Sequence, residues 1–287
     1  MAEDRFRTNL EQHGLAPRTV KAFRKLVYDA YQQGSRNDLP WRLTRDPYRI
    51  MVSEIMLQQT QVARVRTKYE EFLTTFPDVA TLAGASLQEV LAVWQGLGYN
   101  RRGMALKRAA EAIMERFDGV VPGTAEELRT LPGIGPYTAG AIGAFACDRP
   151  EVFIETNIRT VFLHLLFHDL QWVADREVLP LVEATLDRDN PREWYYALMD
   201  YGVMIKQATA NPGRRSAHHT RQSPFKGSNR EVRSRILSAI LAKGVATEQE
   251  LCAALDGDDE RVKKNLMDLE REGFIVGQEK QYVIREG

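Results

Sequence analysis

Apolar residues recur at helical spacing along most of the chain. Val20, Phe23, Leu26, Val27 and Tyr31 form an amphipathic stripe in the polar, helix-prone segment 1–38, and the run Gly34 to Asp38 ends it. Leu39-Pro40-Trp41-Arg42 reads as an extended connector, because proline biases the residue before it away from helix. Asp46-Pro47 supplies an N-cap and then a proline at the first helical position. The helix that it opens, YRIMVSEIMLQQT, is apolar nearly all round, which predicts burial. Residues 69–76, 87–94 and 104–117 predict further helices, separated by short loops rich in proline and glycine. From residue 229 onward the pattern predicts helices at 230–243, 247–255 and 259–272, then short strands at 274–277 and 281–284. Three helices and a β-hairpin make a winged-helix shape.

Two breaks in this helical pattern carry candidate chemistry. Leu131-Pro132-Gly133-Ile134-Gly135 lies between a helix opened by Thr124 and Glu127, spaced as a capping box, and a small apolar helix over 138–145. The glycines permit a sharp turn and close approach, and the amides opening the second helix favour an anion. The segment therefore reads either as a phosphate grip or as a helix–helix corner. Gly96-Leu97-Gly98-Tyr99-Asn100-Arg101-Arg102 exposes an aromatic ring beside two arginines. That suits base stacking flanked by phosphate contacts, and equally a plain helix-capping loop.

Carboxylates in apolar runs are the second signal. Glu54 sits mid-helix among Ile50, Met51, Val52, Ile55 and Met56. Burial makes ionisation costly and favours a proton-donating acid, although a structural glutamate bonded to helix ends or to an arginine would look the same. Glu155 lies at the edge of the run Val152-Phe153-Ile154. Two such acids suggest paired roles, one protonating a leaving group and one steadying a cation, and Tyr137 could face the same pocket.

Charge and cysteine content narrow the classes. The 287 residues hold 39 Lys+Arg and 39 Asp+Glu, so local charge must identify any polyanionic partner. From Lys206 to Arg235 the chain carries Arg214, Arg215, Arg221, Lys226, Arg230 and Arg233 against the single acid Glu231. This is either a phosphate-contacting element or a solvated linker. Residues 256–272 hold seven acids against four bases, which favours packing or protein contact for the third C-terminal helix over major-groove reading. Cys147 and Cys252 read as buried thiols, and nothing suits a signal peptide or a membrane span. A soluble, reducing-compartment protein is expected. His164, His168 and Asp169 share a predicted helical face, for which packing is preferred over a metal site.

In order along the chain, LPWR, SEIMLQQTQV, GLGY, LPGIGPYTAGAI and ETNIRTV resemble the helix-hairpin-helix (HhH-GPD) DNA glycosylases, and among them the A/G-mismatch adenine glycosylases of MutY type. The resemblance covers about residues 38 to 206. It implies an all-α two-lobed fold in which DNA binds across a cleft and a nucleotide is flipped out. Glu54 matches the general acid and Glu155 the second catalytic carboxylate, which Asn157 orients. Tyr99 matches the intercalating tyrosine. Gln59 and Gln61 lie in the segment that wedges the helix, and Gly133 and Gly135 match the phosphate-holding hairpin. Trp41 and Arg42 match the base-pocket wall. Tyr137 stands where related lyases carry a Schiff-base lysine, which implies a monofunctional enzyme.

Four positions depart from the family pattern. Glu155 replaces an aspartate, and Tyr196 replaces a Gln or Glu that touches adenine. The four-cysteine iron–sulfur motif, due near Lys206, is absent, so no cofactor is expected. Arg214, Arg215 and Arg221 are expected to make the DNA contacts in its place. The winged-helix-like end replaces the domain with which the family recognises 8-oxoguanine.

The expected domains are a glycosylase core over 1–222 and a winged-helix-like domain over 223–287. The core divides into a lobe of 46–160, with the hairpin near 131–137, and a second lobe from 1–45 and 161–222. The expected activity is excision of a mispaired base, adenine opposite 8-oxoguanine or guanine. The alternatives are a glycosylase for thymine, uracil or another damaged base opposite guanine, and a catalytically weak mismatch-binding protein. Double-stranded DNA is the expected partner, with a possible protein partner for the C-terminal domain, for a cytoplasmic, nucleoid-associated monomer.

Overall fold

The computed structural model describes residues 2–255 and 259–286. In chain order the helices are α1 (Ala2–His13), α2 (Pro17–Gly34), α3 (Pro47–Leu57), α4 (Val62–Thr75), α5 (Val79–Gly84), α6 (Leu87–Trp94), α7 (Arg101–Phe117), α8 (Ala125–Leu128), α9 (Pro136–Cys147), α10 (Thr156–Leu165), α11 (Asp175–Thr185) and α12 (Pro191–Ala208). Then come α13 (Asn229–Lys243), β1 (Ala246–Thr247), α14 (Glu248–Ala254), α15 (Asp259–Arg271), β2 (Ile275–Gln278) and β3 (Gln281–Ile284). The chain forms two compact units, one of residues 1–51, 123–129 and 134–221, the other of 52–122, 130–133 and 222–287. The expected lobe of 46–160 is thus divided between them, because α9 and α10 pack against α12.

The first unit is built on aromatic packing between α2, α10 and α12. Phe23 is fully buried and meets Phe6, Phe162 and Trp194 with centroids 5.5, 5.4 and 5.9 Å apart. Tilted and edge-on ring pairs of this kind add about 0.5–1.5 kcal/mol each beyond their burial. Residues 40–42 form a single 3₁₀ turn, not the expected extended connector. The proline rule holds one residue earlier, at Leu39 (ψ 127°), and Arg42 N–H then donates to Leu39 C=O at 2.8 Å.

The second unit packs α4 to α7 together with the C-terminal residues. Phe72 and Trp94 stack edge-on at 6.0 Å. Leu87, Leu91 and Met104 of α6 and α7 share one core with Ile236, Leu237, Ile240, Leu266, Leu269 and Phe274. Each large side chain so buried contributes about 1.5–3 kcal/mol. The sheet runs β1-β3-β2, antiparallel throughout, and with α13 to α15 it completes the winged-helix arrangement. The short β1 escaped the sequence pattern, since two residues carry no periodicity. Among the acids expected to mark α15 for packing, Glu272 is held by Arg101 (2.8 Å) and Arg233 (2.5 Å). Asp256 and Asp258 lie outside the described residues.

Candidate active site

α3 starts among the residues of the first unit and ends among those of the second, and it starts as the sequence indicates. The Asp46 carboxylate accepts the Tyr48 amide at 2.9 Å, and Pro47 opens the helix. Glu54 is 3% exposed, surrounded along its own helix by fully buried Ile50, Met51, Val52, Ile55 and Met56. The helix ends at Leu57, three residues short of its expected end, because Arg102 takes its last carbonyls. Its guanidinium donates to Ile55 C=O at 3.0 Å, Met56 C=O at 2.9 Å and Gln58 C=O. It also donates to the Thr60 hydroxyl (2.8 Å) and to Leu97 and Gly98 C=O. Burial lowers the Arg102 pKa to about 10, and the side chain stays charged at neutral pH. Gln59 follows in left-handed backbone (φ 56°), and Gln61 N-caps α4; both are exposed.

The GLGY loop is therefore fastened to the end of α3 by one arginine whose two terminal nitrogens are both taken by protein oxygens and whose Nε is buried. Arg101 is likewise engaged, with Glu272. Tyr99 has φ 50°, which is uncommon for a residue with a side chain and marks a held conformation. The Arg102 and Arg230 guanidiniums each stand 5.3 Å from its ring centre. Its hydroxyl accepts from Arg230 at 2.8 Å and from Gln222.

The hairpin glycines differ in why they are glycine. Gly133 has φ 76°, and a Cβ there would sit 2.7 Å from the Ala105 Cβ, so sterics alone require it. Gly135 has φ −88° and N-caps α9 with no side-chain bond, and a Cβ would meet nothing within 4 Å. That glycine leaves the opening turn of α9 uncovered, as an anion grip needs. Upstream, the Thr124 hydroxyl accepts the Glu127 amide at 3.3 Å and lies 2.7 Å from its carboxylate.

In the first unit, Glu155 N-caps α10. One carboxylate oxygen accepts the amides of Asn157 and Ile158 at 2.7 and 2.8 Å, and the other accepts the Asn157 side-chain amide at 3.2 Å. Aspartate is the more usual cap. The extra methylene of Glu155 is absorbed by curling back onto the helix end, where the dipole favours the anion. Burial pushes the Glu155 carboxyl above the ordinary glutamate value, while the two amides, Lys206 and Arg159 pull it down. Lys206 donates to the Asn157 side-chain oxygen Oδ1 at 2.8 Å. The Tyr137 ring packs edge-on against Phe153 at 5.8 Å.

Arg42 and Tyr196 come together in the first unit; Trp41 and Tyr196 are buried, as is the Arg42 side chain. Tyr196 stacks on Phe145 at 4.4 Å, and the Arg42 guanidinium lies 4.3 Å from the Tyr196 ring centre. Arg42 binds the Asp200 carboxylate through two bonds, at 2.7 and 2.8 Å. Arg36 adds a side-chain bond at 2.6 Å and its amide at 3.0 Å. Burial would raise the Asp200 pKa, but Arg42 and Arg36 together hold it below the usual carboxylate range. Arg42 is thus an anchor between the Asp200 carboxylate and the Tyr196 ring.

The basic loop divides into structural and available charge. Arg215 donates to Leu163 C=O (2.6 Å), Phe167 C=O (2.8 Å) and His168 C=O, closing the end of α10. Arg214 and Arg221 are exposed. Because α10 stops at Leu165, His168 and Asp169 lie beyond it, not on a shared helical face with His164. His164 pairs instead with Glu3 at 2.9 Å, and no metal-binding group of three occurs among the described residues. Lys206 and the loop that follows carry no thiol between Cys147 and Cys252, so these residues do not fit an iron–sulfur cluster. Sequence reasoning missed Asp200, Gly202 and Lys206; a glycine in mid-helix, four residues before a lysine, was the available signal.

Comparison with known proteins bears on this arrangement. Residues 52–188 match the family described as "HhH-GPD superfamily base excision DNA repair protein". The chain is 32% identical over 191 residues to the adenine DNA glycosylase of Buchnera aphidicola subsp. Baizongia pistaciae, covering 65% of this chain and 54% of that protein. It is 32% identical over 199 residues to the thymine/uracil-DNA glycosylase of Pyrobaculum aerophilum, covering 67% and 86%. The solved structure of a thermostable thymine-DNA glycosylase shares the fold, with TM-score 0.58 and 24% identity over 65% of this chain and 87% of that one. The chain spans about half the length of the adenine glycosylase it matches. With the helix–GIG–helix segment and the family match in place, this chain belongs to the HhH-GPD superfamily of base excision DNA repair proteins.

Proposed function

We propose that the protein is a monofunctional DNA N-glycosylase that flips a mispaired base out of the duplex and excises it, with adenine opposite 8-oxoguanine or guanine as the substrate. The observation that carries this reading is Glu54, a carboxylate 3% exposed in the middle of an apolar helix. Removal from water is one of the ways in which a protein readies a carboxyl group to donate a proton. In the reaction Glu54 gives its proton to a ring nitrogen of the base, and the bond from that base to C1′ breaks with its electron pair going to the base. The cation left on the sugar is stabilised by the Glu155 carboxylate. Water then adds to C1′ and loses a proton, leaving an abasic site. Tyr137 offers no amine, which supports a reaction that stops there.

For DNA contact the reading assigns Gly133 and Gly135 to a backbone phosphate, Tyr99 to intercalation, Gln59 and Gln61 to the helix wedge, and Arg214 and Arg221 to the backbone. Trp41 and Tyr196 would line the base pocket, with Arg42 holding Tyr196 from behind. No cofactor enters the scheme. The C-terminal domain, residues 223–287, would serve a protein partner, in keeping with the acids of α15.

A second reading rests on Tyr196. Packed against Phe145 and Arg42, it offers a ring where an amide or carboxylate would touch adenine, which supports thymine or uracil opposite guanine. The test is single-turnover base release from duplexes holding A opposite 8-oxoguanine, A opposite G, T opposite G and U opposite G. Release from the adenine duplexes supports the first reading, and release from the T or U duplexes the second. Tight binding without release supports a mismatch-binding protein.

A further inference from the structure

One cation near the proposed site has no role in that scheme. Lys206 lies on α12 one turn after Gly202, on the same helix face. At Gly202 the two helices touch through backbone: a Cβ there would lie 2.3 Å from the Asn157 carbonyl oxygen. This approach brings the Lys206 ammonium to the Asn157 side chain. An ammonium can only donate, so it fixes which way the Asn157 amide points. Its Oδ1 accepts from Lys206 at 2.8 Å, and its Nδ2 must then face the Glu155 Oε2, at 3.2 Å. The other Glu155 oxygen is taken by two backbone amides. Oε2 is therefore the oxygen left to face a reacting sugar, and its orientation depends on Asn157.

We propose that Lys206 is a positioning residue for the Glu155 carboxylate, acting through Asn157. It locks the amide so that Nδ2 donates to Oε2, and it places a positive charge behind that bond. Bonds in such a chain polarise one another. The other cation facing this carboxylate is Arg159, from α10 itself, and it is committed to Asp175 through bonds of 2.6 and 2.7 Å. Lys206 is half-buried, and burial lowers its pKa while the Glu155 charge opposes that shift. Without Lys206 the Asn157 amide is held at one end only, by Oε2, so its donor is less firmly aimed, and the anion loses a nearby positive charge.

This inference rests on the glycosylase reading only for its catalytic consequence. The experiment compares wild type with Lys206→Met and Lys206→Arg. Lys206→Met should bind a mismatched duplex as wild type does, lose about 10²-fold in single-turnover release, and shift the acid limb of its pH–rate profile upward, since Glu155 then ionises at higher pH. Lys206→Arg, which keeps charge and donor, should restore most of the rate. An unchanged rate and profile in Lys206→Met would overturn the proposal, as would borohydride trapping of Lys206 on the abasic product, which would make it a nucleophile. A carboxyl-carbon NMR titration of Glu155 decides the matter independently of turnover. Its pKa should rise in Lys206→Met, and an unchanged value overturns the proposal even in an inactive protein. Failure of wild type to release any base overturns the glycosylase reading alone.

Discussion

Gly202→Ala tests the close contact on which the Glu155 site depends. The added Cβ would stand 2.3 Å from the Asn157 carbonyl oxygen and 2.8 Å from both its carbonyl carbon and its Cβ. All but the last are backbone, so no rotamer change relieves the clash. Ordinary carbon–oxygen contact needs about 3.4 Å, so α12 and the first turn of α10 must separate by about 1 Å, into a core that is packed as densely as an organic crystal. Overpacking on this scale costs about 1–3 kcal/mol. The displaced turn carries the Glu155 cap, and a shift of about 1 Å at a reacting centre can cost on the order of 10²-fold in rate. Urea unfolding and single-turnover base release on the same preparation separate the two effects. Gly202→Ala should show a lower midpoint with an unchanged slope, and a rate reduced well beyond what the unfolded fraction explains. A variant with wild-type midpoint and wild-type rate would refute the claim that this contact positions the carboxylate.

Asp200→Asn should cost about 3–5 kcal/mol, because it leaves buried Arg42 unpaired; calorimetry would reveal it. The native Asp200 pKa is depressed, so its stabilisation is complete above the unfolded value of about 3.9 and is lost as pH falls through the lower native value. The variant should accordingly show a flatter decline in stability below about pH 4. Arg102→Lys should fail to replace arginine at the end of α3, since one ammonium cannot serve the Ile55, Met56 and Gln58 carbonyls and the GLGY loop, and denaturation should show a loss of about 1–3 kcal/mol. Arg215→Gln should lower stability with little change in the salt dependence of DNA binding, whereas Arg214→Gln together with Arg221→Gln should flatten that dependence.

Much of the fold was legible because local rules and tertiary needs agree. Asp46-Pro47 opens α3, residues 87–94 form α6 without adjustment, and the C-terminal helices and hairpin follow their pattern. Two of the discrepancies, both at helix ends, have one physical origin: a side chain from elsewhere in the chain. Arg102 ends α3 early and Arg215 ends α10 early, each by taking carbonyls that the sequence had assigned to further helix. The same two residues show why a basic run overstates available charge. Both guanidiniums were counted as phosphate contacts and are spent on backbone, and no spacing rule separates the two uses. Glu54 and Glu155 were found because a carboxylate in an apolar run is costly and therefore conspicuous. Lys206 was hidden, since its meaning depends on Gly202 bringing two helices into backbone contact.

The central claim is that Glu54 acts as the acid of a base-excising enzyme. Single-turnover release from the mismatch panel, with wild type and Glu54→Gln side by side and duplex binding measured on both, tests it most directly. The account predicts an abasic product with wild type, none with Glu54→Gln, and equal binding by the two. Release that persists in Glu54→Gln would contradict it.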